Sequence, residues 1–311
     1  GKYARNNAIT LGTNYLFGNQ STLGAEVTHG DRGDAAQIKA EYRLTNDHTI
    51  YGKYLWSSNM GQYDSLFSTQ PATGWTVGQR WRLSNQVNVY NESQMLKSDT
   101  DIWTNHTFGM DFYPSEGWST GFTLQSGKLD KAAGEVKRDA VSLYGGFTNA
   151  QTQWSSKVEL RRDRGVEQRE QWVVTNQMTH KFNEDWRMAA RLNLSETKDQ
   201  INTAANARFA EANVGFAWRP ADNTQYALFG RYTFLYDLST LEQTASTGYY
   251  DQRSHIFSLE GVYHPLPRWE FAGKVATRLG QVRMGRQEGM WVNSGATFAA
   301  AQVRYGITTP W

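Results

Sequence analysis

The sequence predicts an all-β fold, a transmembrane antiparallel up-and-down β-barrel, and three observations lead there. A hairpin unit of about 35 residues recurs through most of the chain, each copy placing aromatics on both sides of a short polar turn. The rings recur as Phe112-Tyr113 before Trp118, Phe147 before Trp154, Phe182 before Trp186, Trp218 before Tyr226, and Tyr263 before Trp269. Amphipathic rings settle at headgroup depth, so aromatics at one level beside every short turn are what a bilayer interface selects. Second, aromatics make up 14% of the 311 residues, with 12 Trp and 16 Tyr, while the mean hydropathy is negative. Those facts conflict for a helical membrane protein and agree for a barrel, where only alternate residues meet lipid. Third, apolar and polar residues alternate over runs of about 10–14 residues, longer than a soluble sandwich normally needs.

Taken in order, the alternation and turn residues predict strands at 8–17, 21–29, 35–45, 48–58, 74–84, 87–98, 102–113, 118–129 and 138–148. They continue at 152–163, 169–182, 186–197, 208–219, 224–238, 252–264, 268–283 and 291–307. Short connections such as Gly18–Gln20, Asn46–Asp47 and Asn85–Gln86 alternate with mostly longer, polar ones at 59–73, 130–137, 198–207 and 239–251. Bacterial barrels put short turns on the periplasmic side and long loops outside. The count is seventeen, whereas a bacterial single-chain barrel closes with an even number. Tyr305 followed by Thr-Thr-Pro-Trp311 is half of another hairpin unit. The expectation is a single barrel domain over 1–311 that is an internal piece of a longer chain, with 18 or more strands in the native barrel. A split or merged strand near 284–307 or 59–73 is the alternative account of the odd count.

Parity assigns faces. Ile38, Ala40, Tyr42 and Leu44 oppose Gln37, Lys39, Glu41 and Arg43; Trp186, Met188, Ala190, Leu192 and Leu194 oppose Arg187, Arg191 and Asn193. Phe216 and Trp218 oppose Glu211 and Arg219; Leu228, Tyr232 and Phe234 oppose Arg231 and Thr233; Phe271, Val275 and Leu279 oppose Glu270, Lys274 and Arg278. The inward set therefore comprises Lys39, Glu41, Arg43, Lys157, Glu159, Arg161, Arg187, Arg191, Glu211, Arg219, Arg231, Glu260, Glu270, Lys274 and Arg278. Each would cost several kcal/mol in hydrocarbon, so these groups face water or one another. Cross-strand pairing that stiffens the wall is the favoured reading, ahead of a dedicated solute track. The periplasmic aromatic girdle is expected at Tyr113, Trp118, Trp154, Trp186, Trp218, Tyr226, Tyr263 and Trp269.

Composition excludes several classes. Cysteine is absent, which removes disulfide scaffolds and thiolate metal sites. The net charge of +2 gives no argument for nucleic acid. No run of apolar residues is long enough for a transmembrane helix. Residues 1–30 hold no basic segment followed by an apolar one, so no signal peptide is visible, and Gly1 is not expected to be the native start. No segment is long enough to fold as a plug, although 59–73 has the length of an infolded constriction loop.

Motifs for chemistry are weak. His29, His48, His106, His180, His255 and His264 lack any neighbouring nucleophile motif, and the chain carries no G-x-S-x-G, H-E-x-x-H or P-loop, so catalysis is not expected. Asp31-Arg32-Gly33-Asp34 contains an RGD tripeptide, but such a tripeptide readily arises by chance and Gly-Asp is ordinary turn chemistry, so adhesion through it is not expected. Asp99, Asp101, Asp130, Asp163 and Asp251 are placed in outer loops, where calcium or bridged lipopolysaccharide is a conceivable ligand, but their spacing fits no EF-hand and solvated loop charge is the plainer reading. A soluble propeller does not fit two strands per unit. Neither cofactor nor metal is expected.

Four segments carry a family resemblance: Phe108-Gly-Met-Asp-Phe-Tyr-Pro-Ser-Glu-Gly-Trp-Ser, Arg231-Tyr-Thr-Phe-Leu-Tyr-Asp-Leu, Gln252-Arg-Ser-His-Ile-Phe-Ser-Leu-Glu-Gly-Val-Tyr and Arg268-Trp-Glu-Phe-Ala-Gly-Lys-Val-Ala-Thr-Arg-Leu-Gly. In these the chain resembles the C-terminal outer-membrane barrel region of large Gram-negative surface proteins that carry Ig-like or surface repeats ahead of it. The resemblance implies a barrel that anchors a larger surface protein or passes an exported segment, and it marks no functional residue. The alternative is a porin or polysaccharide-export channel. Expected partners are the lipid bilayer and lipopolysaccharide, the outer-membrane assembly machinery and other domains of the same polypeptide, with no nucleic acid.

Overall fold

In a computed structural model of the chain, the described residues are 7–18, 20–31, 33–58, 73–98, 101–201, 206–223, 225–239, 250–266, 268–284 and 291–306. Among them lie seventeen strands and no helix long and apolar enough to cross a membrane. The strands are β1 (Ala8–Phe17), β2 (Ser21–Gly30), β3 (Gly33–Arg43), β4 (His48–Ser57), β5 (Thr73–Arg82) and β6 (Val87–Lys97). Next come β7 (Ile102–Phe112), β8 (Trp118–Lys131), β9 (Gly134–Thr148), β10 (Thr152–Gly165), β11 (Arg169–Lys181) and β12 (Trp186–Asp199). The last are β13 (Ala207–Trp218), β14 (Tyr226–Ser239), β15 (Tyr250–Leu266), β16 (Trp269–Met284) and β17 (Val292–Tyr305).

The chain divides into two compact units, Gly1–Leu143 with Arg161–Gln168, and Tyr144–Leu160 with Arg169–Trp311. Within the first, β1 to β8 pair in chain order, each antiparallel to the next. Within the second, β11 to β17 do the same. Up-and-down pairing of this kind follows from hairpin connections, since antiparallel neighbours need only a tight turn between them.

Turn chemistry recurs. Asn149 Oδ1 accepts the backbone N–H of Gln151 at 2.9 Å and of Thr152 at 2.6 Å. Asn183 Oδ1 does the same for Asp185 at 2.9 Å and Trp186 at 2.8 Å, and Asn223 Oδ1 for Gln225 at 3.0 Å. These Asx turns satisfy donors that the departing strand leaves unpaired.

Register sets the two faces, because directly paired residues share a face and each strand alternates. In the second unit one row joins Met188, Phe216, Gly230, Leu259, Val275 and Ala299 across β12 to β17. Leu259 and Val275 are each 53% exposed. The first unit has the same kind of face, with Leu23, Val27, Ile38, Tyr42 and Ile50 exposed along it. Large apolar side chains facing outward in ordered rows are what a lipid-facing surface requires and a water-facing one penalises.

The strands are longer than sequence suggested on one side. The predicted loop at 130–137 is a two-residue connection, Ala132-Ala133, between β8 and β9. Charged residues occupy both faces there, which ended the apolar alternation but not the pairing. For the same reason three of the acidic residues assigned to loops belong to strands: Asp130 to β8, Asp163 to β10 and Asp251 to β15. Asp163 accepts Arg138 Nε at 2.7 Å and Nη2 at 2.8 Å, and Asp251 accepts Arg283 Nη2 at 2.9 Å. Asp99, Arg32 of the RGD tripeptide, the segment 59–72 and Trp311 lie outside the described residues.

Candidate functional site: the polar face of the sheet

The candidate site is a surface rather than a pocket, and in the first unit it is built in rows. One row runs Glu41, Tyr51, Gly78, Glu92 across β3 to β6. The Tyr51 O–H donates to Glu92 Oε2 at 2.8 Å, and Gln94 Nε2 donates to Glu92 Oε1 at 2.7 Å. To reach Glu92 the Tyr51 ring must cross β5, and the glycine at 78 leaves that space: a Cβ there would lie 2.5 Å from the Tyr51 hydroxyl oxygen. The device repeats one step along. Tyr90 of β6 passes over Gly109 of β7, and its hydroxyl shares a 2.9 Å hydrogen bond with Thr123 of β8. The Arg80 guanidinium lies 4.7 Å from the centre of the Tyr51 ring and 4.0 Å from Glu41 Oε2.

Parity placed Lys39, Glu41 and Arg43 together, and the structure keeps them on one face of β3, opposite Lys53, Tyr51 and Thr49. Arg43 donates to Gln20, in the turn before β2. Lys53, Tyr51, Arg80 and Glu92 belong to this face as well, and sequence reasoning passed over them. The signal was present in β4 to β6, where they alternate with Ile50, Tyr54, Val77, Trp81, Val89 and Met95.

In the second unit Glu211 is a node. It accepts Asn193 Nδ2 at 2.9 Å and Asn213 Nδ2 at 2.7 Å, while Arg191 stands opposite Asn213 and Arg231 opposite Gly215. Arg187 pairs in register with Lys181 of β11 and with Ala217 of β13. Lys157 reaches Glu159 at 2.8 Å along its own strand, and Lys274 reaches Glu260 at 3.4 Å across to β15. Glu270 takes His264 Nε2 at 3.0 Å and Arg304 Nη1 at 3.6 Å. Arg278 donates to Ser254 at 2.9 Å and Gln252 at 3.1 Å, neither of them charged. Arg161 lies on β10 between Glu159 and Asp163 in parity, within the first unit. Pairing of opposite charges therefore accounts for part of the inward set, and neutral hydrogen bonds hold Arg43, Glu211 and Arg278.

The aromatic residues assemble on the opposite face at the short-turn ends of the strands. Trp186 pairs with Trp218 at 6.3 Å between ring centres, Tyr226 stacks on Tyr263 at 4.9 Å, and Trp269 meets Tyr305 at 4.9 Å. The Trp154 indole N–H donates to Asn176 at 3.2 Å. Tyr113 and Trp118 flank the turn between β7 and β8, both exposed.

Histidines find single polar partners. His106 shares a 2.8 Å hydrogen bond with Ser93 and His180 one of 2.8 Å with Thr152, both on the apolar face. His29 lies 2.5 Å from Asp34, and His48 shares 2.8 Å with Gln79. Among the described residues no group of three or more His, Asp or Glu is placed to hold a metal ion.

No protein-family model matches the chain, and no curated protein matches it. Solved structures do. OccK11 (OpdR) of Pseudomonas aeruginosa is similar at a TM-score of 0.50 and 10% identity, over 97% of this chain and 91% of that one. The chain has the fold of outer-membrane β-barrels. An anion-selective porin from Comamonas acidovorans is similar at a TM-score of 0.43 and 10% identity, over 97% of this chain and 99% of that one. A bacterial polysaccharide outer membrane secretin is similar at 0.44 and 8% identity, over 86% of this chain and 90% of that one.

Proposed function

We propose that the chain forms a water-filled channel through the bacterial outer membrane for small polar solutes. One observation carries the reading: in each unit an ionic face lies directly behind an exposed apolar one. Lysine or arginine facing lipid at mid-membrane costs about 2–4 kcal/mol, so the face bearing Lys39 and Lys53 in the first unit, and the face bearing Arg187, Arg191, Arg231 and Arg278 in the second, each need water. Hydrogen-bonded carboxylates and amides along that face are the lining of an aqueous pore. The reading assigns no catalytic role. Lipid and lipopolysaccharide as surroundings, and the assembly machinery as folding partner, belong to the same proposal. Anchoring of a larger surface protein rests on the sequence resemblance alone, and likeness to channel proteins favours the channel over it.

Purified protein added to a planar lipid bilayer should give stepwise ion conductance that scales with salt concentration. Stable insertion without conductance would overturn the channel reading and favour an anchor.

A further inference from the structure

We propose that Lys39 and Lys53 form an anion-binding step on the polar face of the first unit, recognising carboxylate or phosphate groups of passing solutes. The inference rests on the channel reading and names the class of solute that the channel favours.

The two lysines stand directly opposite each other on β3 and β4. Like charges at directly opposed positions destabilise a sheet, so a wall built for stiffness alone would place a carboxylate against one of them. Among the described residues neither ammonium group has a carboxylate within 4.0 Å. The carboxylates nearby are engaged or offset. Glu92 is held by Tyr51 and Gln94, and Glu41 faces Arg80. Glu26 stands opposite Gln37, one step further along, and forms no ion pair with either lysine.

The row around the pair is otherwise uncharged: Asn14 and Gly24 on one side, Thr76 and Gln94 on the other. Gly24 matters here as Gly78 does for Tyr51. A Cβ at position 24 would lie 2.6 Å from Lys39 Cε, so the lysine stem lies across the glycine toward Asn14. The row thus offers two ammonium groups among neutral amides and a hydroxyl, with both lysines exposed to solvent. Charge-assisted bonds to an anion can form there. Exposed ammonium groups bind weakly, as passage demands, since a conducting site must release what it captures.

Two measurements test this. In a bilayer separating unequal concentrations of potassium chloride, the reversal potential should show preference for chloride. The double variant Lys39→Gln with Lys53→Gln should reduce the chloride-to-potassium permeability ratio by about threefold, while Lys137→Gln, on the opposite face, should not move it. A conducting variant with an unchanged reversal potential would overturn the proposal and leave the channel reading intact. Binding is read separately on detergent-folded protein, from the line broadening of inorganic phosphate in 31P spectra. Broadening that disappears in the double variant supports the site, and broadening that persists, or is absent from the unaltered protein, overturns it.

Discussion

Asp163 and Asp199 show how single charged residues are held near strand ends. Asp163 is 5% exposed and accepts from Nε and Nη2 of Arg138, and Asp199 is 6% exposed and accepts Arg169 Nε at 2.9 Å. Removing one partner of a buried, bidentate pair leaves the other charge without compensation. Asp163→Asn should therefore lower stability by about 2 kcal/mol, read as a shift in urea midpoint by tryptophan fluorescence. Asp130→Asn, at an exposed pair with Lys128, should leave the urea midpoint within experimental error. Residue identity on each face was legible from parity alone, as Lys39, Arg187 and Lys274 illustrate. Partnership was not: Tyr51 reaches Glu92 two strands away, a distance in sequence that alternation cannot see. The Asx turns were legible in principle, since Asn149, Asn183 and Asn223 recur at the same place in successive units.

At the scale of the strand, most boundaries followed from alternation, and β1 runs over the residues that pattern predicts. Where charge appeared on both faces, as from Lys128 to Lys137, alternation ended early while backbone pairing continued. Gly165 closes β10 with φ +124°, a conformation that only glycine adopts readily, and a Cβ there would overlap the Glu135 carbonyl. Gly165→Ala should cost about 2 kcal/mol or more in the same unfolding assay, with the strand-end hydrogen bond from the Val166 N–H to the Glu135 carbonyl lost. The strand faces make a paired prediction. Leu259→Arg on the apolar face should cost about 2–4 kcal/mol and slow assembly into liposomes. Arg231→Gln on the polar face of the neighbouring strand should leave assembly within experimental error of the unaltered protein. Folding into liposomes, followed by heat-dependent electrophoretic mobility, reads both.

Across the whole chain the recurring arrangement is a wall with one side for lipid and one for water, repeated in each compact unit. Fold class and the seventeen strands among the described residues were legible in the sequence because a membrane wall must satisfy period-two alternation everywhere. Solute choice was not, because it depends on which charges lack partners after the strands pair. The chain's lack of cysteine permits a direct test. Single cysteines placed at Leu259 and Val275, and at Arg231 and Lys274, can be challenged in liposomes with a membrane-impermeant maleimide. The account predicts labelling at positions 231 and 274 and none at 259 and 275; equal labelling of all four, or the reverse pattern, would contradict it.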